Sequence, residues 1–290
     1  TDGESAHTVS NSFEGNAGTT VAFENAGALT IDWADGSSGG DFRGTVSLTG
    51  TSLDMRDGSS DNVTFVAGTE LVLQSGGSAI FAGSQDDRID LRGLALNSGA
   101  SVSFAGIDLA IGNSHVVETD QLTGTSGFNV DIDLSAGLAS DSIFAADNGM
   151  RQQLINAESV ASDLVGMSGA ISDLEDRIAA IKNVGDADDK APVAYGIWSG
   201  GWTIDGSGLH VDADLTEVQL ADASGSGLIL DATGATDSVL SAKITDRNGV
   251  SGNLTVSGTQ AVTISNVDNV YTGQTNVLGE ATLIVTGVLG

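Results

Sequence analysis

Short runs that alternate apolar and polar residues recur along this chain, each closed by a glycine, serine or aspartate turn. That recurrence limits the fold more than any other feature. Between about residues 20 and 135 the runs come in pairs. Thr20-Val21-Ala22-Phe23 precedes Leu29-Thr30-Ile31-Asp32-Trp33, and Thr45-Val46-Ser47-Leu48 precedes Leu53-Asp54-Met55. Asn62-Val63-Thr64-Phe65 goes with Leu71-Val72-Leu73, Ala79-Ile80-Phe81 with Ile89-Asp90-Leu91, and Ser101-Val102-Ser103-Phe104 with Leu109-Ala110-Ile111. A period of two puts alternate side chains on one face of a strand. Val46, Val63 and Val102 therefore hold equivalent inward places, two residues before Leu48, Phe65 and Phe104.

Recurrence at roughly 17 to 25 residues fits stacked solenoid coils, each burying its apolar side against the next. A β-sandwich with strands at similar intervals satisfies the same pattern. The expected fold is mainly β, a β-solenoid or stacked-sheet architecture, with β-sandwich domains as the alternative. Composition agrees. The 290 residues include 40 glycines, one proline and only 4% aromatics, the balance of a chain with many tight turns and small side chains. Hydrophobic residues still reach 40%, enough to build a core.

Residues 142 to 183 break the alternation. Apolar or small residues stand at Met150, Leu154, Ala157, Ala161, Leu164, Met167, Ile171, Leu174, Ile178 and Ile181. These steps of three and four predict an amphipathic helical insert over about 147–183. Gly166 and Gly169 make it either two helices or one kinked helix, Asp147 or Asn148 is a candidate cap, and Ser172 and Glu175 have capping-box spacing. Such a helix packs on the end of a sheet or serves as a seam for another subunit. Asp186-Ala187-Asp188-Asp189-Lys190 reads as a solvated linker, and from Val193 the strand pattern returns. The expected regions are 1–141, β-rich; 142–190, helical insert and acidic linker; and 191–290, β-rich.

The chain carries 39 acidic and 10 basic residues, a formal charge of −29. That charge opposes nucleic acid and anionic membranes, and calls for screening by salt or divalent cations. No cysteine is present, which removes disulfides, thiolate metal sites and cysteine nucleophiles together. No run of 18 apolar residues predicts a transmembrane segment, and no signal peptide is visible. The opening Thr1-Asp2-Gly3-Glu4 suits a mature exported protein.

Catalytic chemistry finds little support. His7, His115 and His210 are far apart with no ligand spacing near them, and no G-x-S-x-G elbow accompanies the many serines. Gly39-Gly40 and Gly76-Gly77 lack the remainder of a phosphate loop and read as turns. Asp86, Asp87 and Asp90, or Asp131 and Asp133, are the carboxylates a glycan-cleaving solenoid would use, though neighbouring acids arise by chance in a chain this acidic.

Calcium is the ligand the sequence favours. The run Gly83 to Gly93, with Asp86, Asp87 and Asp90, is similar to the glycine-and-aspartate repeats of exported β-rolls, although Arg88 and Arg92 sit inside it. Asp186, Asp188 and Asp189 form a second acidic cluster without the glycine and glutamate of an EF-hand. No catalytic residue and no required cofactor is expected.

Residues 252–287 resemble the repeat of bacterial autotransporter passenger regions. The matching residues are Asn269, Tyr271, Thr272, Gly273, Thr275, Val277, Gly279, Thr282, Leu283, Val285 and Gly287, and Glu280-Ala281 lengthens the step from glycine to threonine. The resemblance implies a right-handed parallel β-solenoid on an exported protein, with a role in adhesion, aggregation or passage to the surface. With no membrane-barrel segment after the repeat, it implies an excised passenger or a separately exported structural protein.

Together these features lead to the expectation of a non-enzymatic extracellular structural protein. It would be a self-assembling subunit of a bacterial surface filament, tube or layer, pairing through its terminal apolar strand. A monomeric adhesin passenger with a cell-surface or glycan target is the alternative, and a polysaccharide-cleaving solenoid the third.

Overall fold

The computed structural model describes residues 7–9, 16–31, 42–55, 68–82, 89–107, 116–133, 149–171, 178–182, 192–221, 227–234 and 237–290. Two compact units emerge. One holds residues 1–136, 151–171 and 201–211; the other holds 137–150, 172–200 and 212–290. The described residues contain strands and no helix. The protein is mainly β, with its strands stacked as a β-solenoid.

In the first unit, β1 (His7–Val9), β2 (Thr20–Ile31), β3 (Thr45–Asp54), β4 (Glu70–Leu73), β5 (Ser78–Ala82), β6 (Ile89–Leu96), β7 (Ser101–Ala105), β8 (Val117–Gly124) and β9 (Asn129–Ile132) pair in parallel. Each coil lays one strand on each of two faces. The front half of β3 pairs β4 and its back half pairs β5, so β3 turns a corner at Thr49-Gly50-Thr51.

Core columns run through the register. Val46, Leu71, Leu94 and Leu122 form one, all fully buried; Leu29, Leu53, Ala79 and Val102 form another. Phe81 lies beside Phe104 with ring centroids 5.6 Å apart. Outward positions are polar: Thr45 Oγ1 donates to Glu70 Oε2 at 2.9 Å, and Arg92 reaches the same oxygen at 3.2 Å.

The register corrects the expected equivalence of the valines. Val46 and Val102 both point inward, but they sit in different columns on different faces, and Val63 lies outside the described residues. The first two pairs of runs lie in register within β2 and β3, whereas from Leu71 onward the pairing is one strand out of step, because periodicity marks which residues face inward and not where a coil begins.

The corners explain the glycines. Asn25, Gly50, Gly76, Gly99 and Gly127, one per successive coil, all have positive φ. Gly50 N bonds Ser75 O, Gly76 N bonds Gly99 O, and Gly99 N bonds Gly127 O, so this left-handed column is itself a ladder. Only glycine, and asparagine less easily, takes that backbone cheaply.

The expected helical insert is not seen among the described residues. Gly149–Val160 is a strand, β10, whose Ile155 to Ala157 pair in parallel with Val117 to Thr119 of β8. Short strands β11 (Ser168–Ala170) and β12 (Ile178–Lys182) follow. A step of four is even, so it satisfies the period of a strand as well as that of a helix. The steps of three mark corners, as at Leu154 and Ile155, adjacent and both fully buried. Gly166, at φ +87°, turns the chain between β10 and β11. The candidate caps Asp147, Asn148, Ser172 and Glu175 lie outside the described residues.

β13 (Pro192–Asp205) and β14 (Gly208–Leu220) form a hairpin. Near its turn, β11 pairs antiparallel with Gly201 to Thr203. In the second unit β12 pairs antiparallel with the start of β13, where Pro192 stands at the first strand position, which tolerates its missing N–H. Beyond lie β15 (Leu228–Ala232), β16 (Ser238–Leu240), β17 (Lys243–Asp246), β18 (Leu254–Gly258), β19 (Ala261–Ile264), β20 (Thr275–Val277) and β21 (Thr282–Val285). They stack in parallel as β14-β17, β15-β18-β20 and β16-β19-β21, again a solenoid arrangement.

Candidate functional site

Chemistry-bearing side chains converge at the β13–β14 turn. Asp205 Oδ1 accepts from Ser207 N at 2.8 Å and Ser207 Oγ at 2.7 Å, while Arg151 Nη2 lies 2.8 Å from Asp205 Oδ2. His210 Nε2 lies 3.1 Å from Ser207 Oγ and 3.2 Å from Asp205 Oδ1. Gln153 Nε2 donates to Ser207 O at 2.8 Å. Partial burial works to raise the Asp205 pKa. It is outweighed by the bonds from the Ser207 side chain and backbone and from Arg151, with the His210 charge adding, so the carboxyl is held well below the usual carboxylate range.

Serine, histidine and aspartate in contact invite comparison with a hydrolase triad. The wiring differs. A triad sets imidazole between acid and hydroxyl, one ring nitrogen to each. Here both oxygens meet the same nitrogen and Ser207 gives its proton to Asp205, so the hydroxyl is not activated. What the cluster does is lock a tight turn. Sequence reasoning overlooked it by seeking histidines near one another; the Asp205-x-Ser207-x-x-His210 spacing was the available signal.

Among the calcium candidates, Asp90 sits on β6 in register with Glu118 of β8, two carboxylates side by side on adjacent coils. Asp86, Asp87, Asp186, Asp188 and Asp189 lie outside the described residues. Among the described residues no group of three or more metal-ligating side chains is brought together. Asp131 is exposed on β9 opposite Ser103, and Asp133 follows the strand. His7 is exposed on β1, and His115 lies outside the described residues.

The residues that carry the autotransporter-like resemblance all fall in the last two coils, where they have structural roles. Asn269 is buried. Its Oδ1 accepts from Ile244 N at 2.7 Å, and its Nδ2 donates to Val288 O at 2.6 Å and Asn266 O at 3.1 Å, stitching successive coils. Tyr271 is fully buried and bonds Thr275; burial pushes its phenol up despite that bond. Thr272 donates through N and Oγ1 to Asp246 Oδ2, at 2.9 and 2.6 Å, and Gly252 N donates to Asp246 Oδ1 at 3.0 Å. A Cβ on Gly273 would stand 1.9 Å from Gly252 O, so only glycine fits.

The final coil presents a different kind of site. In the inward column Leu230–Val256–Val277, exposure runs 7%, 0% and 47%; in Leu240–Ile264–Val285 it runs 4%, 0% and 40%. Val267, Val270, Leu278, Ile284 and Val288 are exposed beside them. Among the described residues no strand pairs the outer edge of β20 or β21. The same stretch is nearly free of charge. From Asn248 to Gly290 the only ionisable acids or bases are Asp268 and Glu280, apart from tyrosine.

Scans against protein-family models, curated proteins and solved structures find no match to the chain. The class rests on the architecture alone: a mainly β, solenoid-type protein compatible with a solenoid passenger. Among the described residues no helix is long and apolar enough to cross a membrane.

Proposed function

We propose that this chain is a non-enzymatic, exported structural protein of a bacterial surface, a subunit that assembles with copies of itself. The observation that supports the reading is the neutral, partly apolar surface of residues 248–290, where Val267, Val270, Leu278 and Ile284 lie exposed in a stretch with only two acidic side chains, Asp268 and Glu280. Exposed apolar surface of this kind is a usual ground for association with another chain. The charge of −29 keeps the remaining surface repulsive, so association is least opposed at this neutral stretch. Calcium or salt assists by screening that charge.

A second reading, a monomeric passenger acting as an adhesive stalk, draws support from the coil-stitching roles of Asn269, Tyr271, Thr272 and Gly273. Negative-stain electron microscopy and sedimentation of the purified chain, with calcium and with chelator, test both. Regular assemblies are the expected result. Monodisperse rods at high concentration in both conditions would sink the assembly reading in favour of the adhesin, and release of reducing ends from a glycan would turn the reading to an enzyme.

A further inference from the structure

We infer that Asn248 is a site of covalent self-modification, where the side-chain amide is lost to the backbone nitrogen of Gly249 and a carboxylate takes its place. After β17 the chain reverses through a two-residue turn. Arg247 and Val250 bridge antiparallel, Val250 N donates to Arg247 O at 3.0 Å, and between them Asn248 and Gly249 have φ +54° and +72°. Two positive φ in succession mark a type I′ turn, which asparagine followed by glycine suits best. Asn248, Gly249 and Val250 are all exposed. Chain neighbours apart, no atom stands within 4 Å of the place a Cβ on Gly249 would take, so the flank of that nitrogen is open to the asparagine side chain.

The step needs no oxidant or reductant. Gly249 N, having given its proton to hydroxide, bonds to Asn248 Cγ; the Cγ–Nδ2 bond breaks, and the departing nitrogen takes up a proton and leaves as ammonia. Water then opens the five-membered imide at either of its carbonyl carbons, giving aspartate or isoaspartate. Glycine matters because it has no Cβ to crowd the ring. Every other asparagine among the described residues precedes a residue other than glycine, and several have side chains that are held. Asn97 Nδ2 donates to Gln74 Oε1 at 3.2 Å, Asn253 Oδ1 accepts from Gln274 N at 2.8 Å, and Asn269 is buried. Closing the ring requires rotation within the turn, whose tip is tied by the bond from Val250 N to Arg247 O. Exposed tips held so lightly open at small cost. The product raises the carboxylates between Asn248 and Gly290 from two, Asp268 and Glu280, to three. That stretch is the neutral surface of the self-assembly reading, but the reaction does not depend on assembly.

The test is peptide mapping by mass spectrometry of the full folded chain, aged at neutral and at mildly alkaline pH, beside the same chain aged in urea. Asn148 also precedes a glycine but lies outside the described residues, so conversion is scored peptide by peptide. Expected is a gain of one mass unit at Asn248, ahead of every other described asparagine and faster at the higher pH. The folded rate should fall within about tenfold of the rate in urea, because opening the turn costs one exposed hydrogen bond. The product should include isoaspartate, which elutes apart from the same peptide of the Asn248→Asp variant. Asn248→Gln, whose ring would need a sixth member, should stay unconverted. A folded chain that keeps Asn248 intact while the chain in urea converts it would overturn the inference, since the turn would then be protecting the amide. Conversion of Asn97 or Asn253 ahead of Asn248 in the folded chain would overturn it as well.

Discussion

Replacing Gly77 by alanine isolates the close approach that a stacked coil imposes at its corner. A Cβ there would lie 2.3 Å from the backbone oxygen of Leu48 on the preceding coil and 3.0 Å from Gln74 O, with no positive φ to add strain. The obstacle is backbone and cannot rotate away. Relief requires moving apart chains tied by Gln74 N to Leu48 O at 2.8 Å, Gly77 N to Gln74 O at 2.8 Å and Ser101 N to Gly77 O at 3.0 Å. Overpacking of this kind costs about 1–3 kcal/mol, and each buried bond left unmade costs about 1–3 kcal/mol more, so a loss of about 3–5 kcal/mol is expected.

Two glycines in the same unit serve as internal controls. Gly166 has φ +87° and open space around it, so Gly166→Ala meets only left-handed strain of about 1–2 kcal/mol, partly offset by the reduced entropy of the unfolded chain. Gly206 has open space and an ordinary φ; Gly206→Ala should be neutral or stabilise by about 0.5 kcal/mol. Urea unfolding followed by circular dichroism gives the ranking. If Gly77→Ala proves no worse than Gly166→Ala, the coils do not approach as closely at this corner as Leu48 O and Gly77 require.

Two further expectations can be checked in the same assay. Phe104→Ala removes a buried ring tilted against Phe81 and should cost about 3–5 kcal/mol, where a loss under 1 kcal/mol would mean the core is not packed as described. Asn269→Ala leaves Ile244 N and Val288 O without their partner and should cost about 2–4 kcal/mol, whereas tolerance of the change would remove its stitching role.

The pH dependence has a definite sign at both ends. Asp205 titrates below its unfolded value, so its contribution is complete above about pH 4 and is lost as pH falls through the folded value. With its side chain 39% exposed, screening holds that contribution to about 1 kcal/mol. Asp205→Asn should flatten the acid limb of a stability–pH profile, and an unchanged limb would refute the assignment. Tyr271 titrates above its unfolded value, so the stability it lends is full below about pH 10 and lost as pH rises through the folded value. Tyr271→Phe should remove that alkaline loss, visible as a flatter profile above pH 10.

What the sequence determined is what local physics controls. Alternation at Val46-x-Leu48 and Val102-x-Phe104 places those side chains inward whatever they pack against, and the glycines mark turns because left-handed backbone and close approach exclude a Cβ. Mainly β structure, and the solenoid among its forms, followed from that much.

Tertiary structure decided the rest. Which strands share a face depends on a register between residues about 25 apart, as with Val46 and Leu71, which no single run encodes. Residues 149–160 are a strand because β8 offers them a ladder; their even steps alone fit helix and strand equally. The Asp205 cluster needs Arg151, 54 residues away, to complete it. The place of Val277 became visible only through register, which stacks it on Val256 of the preceding coil.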